Sequence, residues 1–213
     1  ELNIGQMCLD LREELVKEGL GPLPAHRFAK INQDFSTSDS VALAQSDPKA
    51  GECKQAFFPG CALSGYSPKL VLQVYDYLQE KMSGAGIILG CCGSPAHLMG
   101  DQPRSKEILT GIESQMKRLG ASELLMACPE CYQTIKRNAP HLRLRSIYQV
   151  MVEQGLPETA QARSNKVFSL HDPCNARYEI KWQDSVRKLT REMGYQIQEL
   201  EYSREKTRCC GMG

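Results

Sequence analysis

Apolar positions along this chain change their spacing in a regular way from Lys54 onward. Short apolar runs of strand length alternate with longer stretches whose apolar residues recur every three or four positions, as on one face of a helix. The predicted strands are 56–58, 86–89, 123–127, 167–170 and 197–200. The predicted helices are 68–81, 103–119, 132–138 and 183–193, with another short strand and helix between 144 and 155. Such alternation predicts an α/β fold with parallel strands.

The N-terminal part has a different pattern. Residues 7–18 have helical periodicity and end at the breaker Gly-Leu-Gly-Pro, residues 19–22. Residues 32–52 are polar and without a period, so they are predicted to form a linker or surface loop. We therefore expect three parts: an N-terminal helical segment with linker (1–52), a first repeat (53–160) and a second repeat (161–213).

Eight of the ten cysteines belong to one arrangement that occurs twice. A single cysteine is followed by Cys-Cys-Gly after 29 residues in the first copy and after 34 in the second, and the first copy continues to Cys-Pro-Glu-Cys. The first set is Cys61, Cys91, Cys92, Cys128 and Cys131, and the second is Cys174, Cys209 and Cys210. Most of them follow predicted strands, and ligands bind beyond the carboxyl ends of parallel strands. We expect a pseudo-symmetric tandem repeat in which each set converges on one site.

Gathered thiolates are soft ligands that suit zinc or iron–sulfur clusters. The side chains of adjacent cysteines diverge, which favours a cluster of several irons over one tetrahedral zinc ion. Zinc on four of the first five cysteines, and redox-active thiols without metal, remain alternatives. Cys8 and Cys53 lie outside the repeated arrangement and are not predicted to be ligands.

Two features outside the cysteines have competing interpretations. The pair His171-Asp172 precedes Cys174. The pair would tune the potential of a cluster by hydrogen bonding to the thiolate, or His171 would transfer a proton. Alternatively, Asp172 before a proline simply starts a tight turn at the end of the strand. Trp182 is the single tryptophan and is expected to pack rather than to conduct electrons.

Composition narrows the class of protein. Hydrophobic residues make up 41% of the chain and charged residues 24%, and the net charge is +1, which gives no electrostatic footprint for nucleic acid. No apolar run reaches the length of a spanning helix, and the N-terminus lacks the pattern of a secretory signal. A cysteine-rich chain with this regular alternation does not need disulfides to fold. We therefore expect a cytoplasmic location.

Five motifs resemble the cysteine-rich domain that is named for its Cys-Cys-Gly signature: Phe58-Pro59-Gly60-Cys61, Gly90-Cys91-Cys92-Gly93, Cys128-Pro129-Glu130-Cys131, His171-Asp172-Pro173-Cys174 and Arg208-Cys209-Cys210-Gly211. That domain occurs in the B and D subunits of heterodisulfide reductase and in iron–sulfur subunits of glycolate, lactate and anaerobic glycerol-3-phosphate oxidoreductases. The resemblance runs from about Cys53 to the end of the sequence. Residues 11–27 also look like the stretch that follows a ferredoxin domain in fused members of the family.

The resemblance implies that a complete copy binds a [4Fe-4S] cluster of the noncubane type through five cysteines. The ligands would be Cys61, Cys91, Cys92, Cys128 and Cys131, with Cys174, Cys209 and Cys210 at a second site. Because the second copy has no Cys-x-x-Cys within this sequence, we expect at most one fully ligated cluster in it.

The function that the resemblance implies is that of an oxidoreductase component similar to heterodisulfide reductase, which transfers electrons or reduces a disulfide. Its partners would be flavin-bearing or ferredoxin-type iron–sulfur subunits and a membrane anchor subunit, so a cytoplasmic chain would reach the membrane through a partner. Two alternatives belong to other classes: a zinc-stabilised scaffold without enzymatic activity, and a thiol-redox sensor.

Overall fold

Seven strands form two sheets in the computed structural model, which describes residues 2–157, 160 and 166–211. The strands are β1 (Leu43–Gln45), β2 (Gln55–Phe58), β3 (Ala85–Leu89), β4 (Glu123–Met126), β5 (Arg143–Ser146), β6 (Val167–Phe168) and β7 (Gln196–Ile197). The first five form the central sheet in the order β1-β3-β2-β4-β5, and β6 pairs with β7.

Four neighbouring strands of the central sheet run parallel. Strand β2 pairs with β3 on one side and β4 on the other, so that Ala56 lies opposite both Gly86 and Leu124, and β4 pairs in parallel with β5. Only the edge strand β1 is antiparallel. The carboxyl ends of β3, β2 and β4 therefore lie side by side at one edge. The predicted α/β fold with a parallel sheet is confirmed.

Helices precede the central sheet, connect its parallel strands and follow it. They are α1 (Ile4–Lys17), α2 (Arg27–Ser36), α3 (Cys61–Tyr66), α4 (Pro68–Lys81), α5 (Ser94–Met99), α6 (Gln102–Leu119), α7 (Pro129–Asn138), α8 (Ile147–Gln154) and α9 (Ile180–Glu192). Their ends follow local sequence signals: Pro68 begins α4, Asp101 caps α6, and Ser146 caps α8 through a capping box. Within the described residues, no helix combines the length and apolar character needed to cross a bilayer.

Each face of the central sheet is covered by a separate apolar cluster. Successive strand residues alternate between the two faces, so Phe57 packs with α4 and α8, whereas Phe58 packs with α6 and α7. Both phenylalanines are fully buried. Strand β2 is thus the middle of a three-layer core, which fixes the position of the loop that follows it.

The sequence predicts a linker or surface loop over 32–52, and the structure corrects this prediction. Helix α2 occupies its first residues, and β1 adds an antiparallel strand beside β3. Polar contacts hold α2 in place: Arg104 donates to the Asp34 carboxylate at 3.2 Å and to the Thr37 hydroxyl at 2.9 Å, and Gln33 is buried. The apolar residues at helical spacing in α2, Phe28, Ile31 and Phe35, are exposed, and two of them precede residue 32, so the polar stretch from 32 onward does not show the helix.

The second repeat is described from residue 166 to residue 211. Its strands β6 and β7 are shorter than predicted, and each has only the other as a partner. Helix α9 packs against α8, and Trp182 contacts the rings of Tyr132 and Tyr148 edge-on at 5.3 and 5.7 Å between centroids. The prediction that Trp182 packs is confirmed. The predicted boundary between the repeats adjoins residues 161–165, which lie outside the described part of the chain.

A buried ion pair organises this second repeat. The Arg187 guanidinium, 1% exposed, donates to both Asp172 oxygens at 2.8 Å and to Glu199 at 2.6 and 2.8 Å. The Arg204 amide donates to Asp172 at 2.7 Å, and the Thr207 hydroxyl donates to its carbonyl at 2.6 Å. Asp172 therefore joins β6, α9 and the C-terminal loop. Its place in this network favours a structural role.

We predict that Arg187→Met lowers the free energy of unfolding by about 3–5 kcal/mol, because it leaves two carboxylates without their buried partner. Burial raises the pKa of Asp172, but hydrogen bonds from Arg187 and the Arg204 amide outweigh it and hold the pKa below its ordinary value. This contribution is complete above the ordinary carboxyl pKa and is lost as the pH falls through the depressed value. Urea denaturation should therefore show a difference that shrinks in acid.

The matched control is Lys188→Met on the same helix, where the pair with Glu192 spans 3.7 Å and is exposed. Its loss should change stability by less than about 1 kcal/mol at any pH. Equal effects of the two substitutions would refute the structural role of Arg187.

Candidate metal centre

Three loops at the carboxyl edge of the sheet carry the first set of cysteines. Cys61 follows β2, the pair Cys91 and Cys92 follows β3, and Cys128 follows β4 with Cys131 in the first turn of α7. Because β3, β2 and β4 are adjacent and parallel, these loops meet although they are far apart in sequence.

The five sulfurs form one continuous series of contacts. Cys61 interacts with Cys91, Cys91 with Cys92, Cys92 with Cys131, and Cys131 with Cys128. Cys91, Cys92 and Cys131 are 2–3% exposed, while Cys61 and Cys128 are partly exposed. The structure thus brings the first predicted set together.

Two cysteines of this series, Cys91 and Cys128, have a lowered pKa, and the other three have a raised one. Hydrogen bonds from the Cys61 and Cys92 thiols lower the pKa of Cys91 to about 3, and a hydrogen bond from the Cys131 thiol lowers the pKa of Cys128 to about 6. Donation to Cys91 raises the pKa of Cys61, and donation to Cys128 and Cys92 raises that of Cys131. For Cys92, contact with Cys131 lowers the pKa, but Cys91 and burial outweigh it. The thiols of Cys61, Cys92 and Cys131 thus favour the deprotonated form of Cys91 and Cys128.

Backbone amides stabilise these sulfurs further. The Gly93 amide donates to Cys91 Sγ at 3.4 Å, the Ser94 amide to Cys92, and the Glu130 amide to Cys128. Each donor comes from the loop that carries the sulfur. The local turn that delivers a cysteine also supplies a hydrogen bond to its charged form.

One donor reaches the centre from outside the repeats. Gln33 of α2, 3% exposed, directs its Nε2 to Cys91 Sγ at 3.6 Å. The sequence analysis missed this residue, because the contact joins positions 58 residues apart and no motif marks it.

Gly60 makes room for the sulfurs. A Cβ built on it would lie 2.9 Å from Cys131 Sγ and 3.4 Å from the Cys128 Cβ, and its φ of +83° belongs to the region that favours glycine. The loop after β2 can therefore approach the loop after β4 only without a side chain at this position.

Two cavities reach the centre from solvent. One, of about 510 Å³, lies between α2 and α3 and is lined by Cys61, Phe35 and Tyr66 among others. The other, of about 180 Å³, is lined by Cys91 and Arg104. Cys61 and Cys91 therefore each border a cavity, whereas neither cavity is lined by Cys92, Cys128 or Cys131.

The second set has a different environment. Cys174, Cys209 and Cys210 are exposed, and Cys174 begins a short 3-10 turn, Cys174–Ala176. Its Cys-Cys-Gly motif repeats the geometry of the first: the Gly211 amide donates to Cys209 Sγ at 3.3 Å, and Gly211 has a φ of +79° where Gly93 has +86°. The convergence of these three sulfurs on a second site stays a prediction.

The remaining cysteines differ from each other. Cys8 is exposed on α1, whereas Cys53 is buried, donates to the Gln55 carbonyl at 3.4 Å and has its pKa raised by burial. His171 is exposed. In the ranges 2–157, 160 and 166–211, no group of three or more His, Cys, Asp or Glu side chains is arranged to hold a single metal ion. The five sulfurs form one series, a donor set that suits a group with several metal atoms.

The comparisons agree with this site. The sequence profile of the cysteine-rich (CCG) domain family matches residues 55–136 and 168–213, more than half of the chain. The chain therefore belongs to the cysteine-rich CCG domain family. The matched segments contain both cysteine sets but neither α1 nor α2.

Several curated proteins are similar to the chain. The D subunit of dihydromethanophenazine:CoB–CoM heterodisulfide reductase from Methanosarcina barkeri is 25% identical over 237 residues, covering 100% of this chain and 58% of that protein. The B subunit of fumarate reductase (CoM/CoB) from Methanothermobacter marburgensis is 25% identical over 226 residues, covering 100% and 45%. An uncharacterised iron–sulfur protein from Methanocaldococcus jannaschii is 25% identical over 164 residues, covering 74% and 32%. The chain thus spans little more than half of even the first relative, and no solved structure gives a significant match.

We predict that Gly60→Ala disrupts the centre, because the new Cβ would overlap Cys131 Sγ and the backbone would be strained. A loss of stability of about 1–3 kcal/mol is expected, together with faster alkylation of Cys131 in the reduced, metal-free protein. Gly65→Ala within α3 is the control, since nothing lies within 4 Å of its Cβ position. It should leave alkylation unchanged and stabilise the helix slightly. Similar behaviour of the two variants would contradict the packing argument.

Proposed function

We propose that the chain is the iron–sulfur redox subunit of a larger oxidoreductase and that it carries electrons. The observation that supports this most is the series of four interactions that links the five sulfurs at the carboxyl edge of the sheet. The relatives point the same way, since two are named as subunits of reductases and a third as an iron–sulfur protein.

In this proposal one [4Fe-4S] cluster of the noncubane type is held by the whole first set of cysteines. Iron binds the deprotonated sulfur, and the pKa values of Cys91 and Cys128 favour that form. A cubane [4Fe-4S] cluster takes four cysteines, so a set of five supports the noncubane type. When bound, the cluster accepts and releases electrons one at a time. The amides of the loops and Gln33 donate to the sulfurs and so set the potential at which this occurs.

Cys174, Cys209 and Cys210 are proposed ligands of a second site. The shared hydrogen bond from glycine to the first sulfur of Cys-Cys-Gly supports this assignment. The partial second copy also falls within the family match.

The substrate and partners follow from the relatives only as proposals. Reduction of a disulfide is suggested by the similarity to one component of a heterodisulfide reductase. Partners would be flavin-bearing or ferredoxin-type iron–sulfur subunits, with a membrane anchor subunit as a further partner. We place the chain in the cytoplasm, because its function requires reduced thiols.

A thiol switch is the second candidate. Cys128 and Cys131 begin α7 with the spacing Cys-x-x-Cys, and the lowered pKa of Cys128 beside a protonated Cys131 is typical of redox-active pairs. Iron and acid-labile sulfide in anaerobically purified protein would favour the cluster. A Cys128–Cys131 disulfide in metal-free protein, found by mass spectrometry, would favour the switch.

Replacing either cysteine of the Cys91-Cys92 pair with serine is expected to abolish or convert the first cluster, because each removes a proposed ligand from the buried part of the set. Cys53→Ser is the matched control: Cys53 is equally buried but has its own partner at the Gln55 carbonyl. Iron and sulfide per chain after anaerobic reconstitution are the measurement. Full iron content in both pair variants would rule out the proposed ligand set.

Gln33→Leu is expected to lower the reduction potential of the cluster by tens of millivolts. A hydrogen bond to a ligating sulfur stabilises the more negative, reduced state and is worth on the order of 1 kcal/mol. Potentiometric titration measures the shift, with the exposed Gln154→Leu as control. An unchanged potential would mean that Gln33 does not influence the bound cluster.

A further inference from the structure

The side chain of Glu130 joins three cysteine-bearing loops. Its Oε1 accepts a hydrogen bond from the hydroxyl of Ser94, two residues after Cys92. Its Oε2 accepts one from the amide of Asn175, the residue after Cys174. One carboxylate thus holds loops from both copies of the cysteine arrangement.

Buried neighbours and further hydrogen bonds hold Glu130 in place. Ser94 is 4% exposed, and Thr134, one turn further along α7, is also 4% exposed and donates to Glu130 Oε1 at 3.4 Å. The Glu130 backbone amide meanwhile donates to Cys128. Glu130 therefore contacts a cysteine through its main chain and ties two neighbouring loops through its side chain.

Other polar contacts between α7 and the second repeat lie away from the sulfurs. Glu179 accepts from Gln133 at 2.8 Å and pairs with Lys136 at 2.5 Å. These contacts join the same two parts of the chain without involving a residue next to a cysteine. They provide a control for the general stability of this interface.

We propose that Glu130 is a positioning residue that fixes the Cys92, Cys131 and Cys174 loops relative to one another and so couples the second repeat to the first set of ligands. The effect on a bound cluster rests on the proposed function, whereas the effect on the loops does not. Neither the Cys-Cys-Gly motif nor the Cys-x-x-Cys spacing specifies this link. It depends on the residue types at positions 130 and 175.

The direction of the hydrogen bond from Asn175 to Glu130 can be tested by reversing it. A carboxylate can only accept from the Asn175 amide, so Asn175→Asp would set two carboxylates against each other. Glu130→Gln together with Asn175→Asp reverses the donor and the acceptor: the new amide donates to the new carboxylate and its oxygen still accepts from Ser94. The double variant should therefore restore what Asn175→Asp breaks.

The measurement is the alkylation rate of each cysteine in the reduced, metal-free protein, read by mass spectrometry. Asn175→Asp is expected to speed alkylation of Cys92 and Cys131 roughly tenfold, the order of effect for losing a hydrogen bond to a charged group. The double variant is expected to return both rates to within about twofold of wild type. Glu179→Gln should leave both rates nearly unchanged.

The proposal is overturned if Asn175→Asp leaves the Cys131 rate unchanged, if the double variant is not rescued, or if Glu179→Gln has the same effect as Asn175→Asp. The second measurement is iron loss to a chelator after anaerobic reconstitution. Asn175→Asp should lose iron several-fold faster, and the double variant should keep it as wild type does. If wild type binds no iron, the proposed function fails, while the alkylation rates still decide the role of Glu130.

Discussion

Parallel pairing of β3, β2 and β4 is the constraint on which the candidate centre depends. Their shared register brings three carboxyl ends to one edge, and the buried residues on both faces of β2 prevent that strand from shifting. Cys61, Cys91 and Cys128 follow these ends within a few residues. Their convergence therefore follows from the packing of strands and helices in the two apolar clusters.

Charged sulfurs that lie close together are destabilised, and the loops that carry them supply groups that reduce this effect. Two negative sulfurs in a mostly buried site would repel each other and lose hydration. The structure places thiols between Cys91 and Cys128 along the series and directs backbone amides to the charged atoms. These donors lower the electrostatic cost of burying two sulfurs that have a lowered pKa.

Much of the fold could be predicted from the sequence, because its strands and helices bury apolar residues at clear periods. The ends of β2, β3 and β4 and the loops that carry the first cysteines were found in this way. The second half of helix α2 and the edge strand β1 were not, since polar side chains hold the helix and a single neighbouring strand holds β1. Gln33 and Glu130 were missed for a related reason: their partners are distant in sequence, and no local pattern records a contact that exists only after folding.

The position of Gln33 has an evolutionary consequence. Gln33 belongs to a helix outside the segments that match the family, yet its Nε2 lies 3.6 Å from Cys91 Sγ in the Cys-Cys-Gly motif. Mutations in this flanking helix can therefore alter the electronic properties of the centre while every cysteine stays in place. Two relatives with the same cysteine signature can differ in reduction potential because different sequences precede the shared domain. Residues that bind no metal can therefore change as such proteins diversify, without the loss of any cysteine.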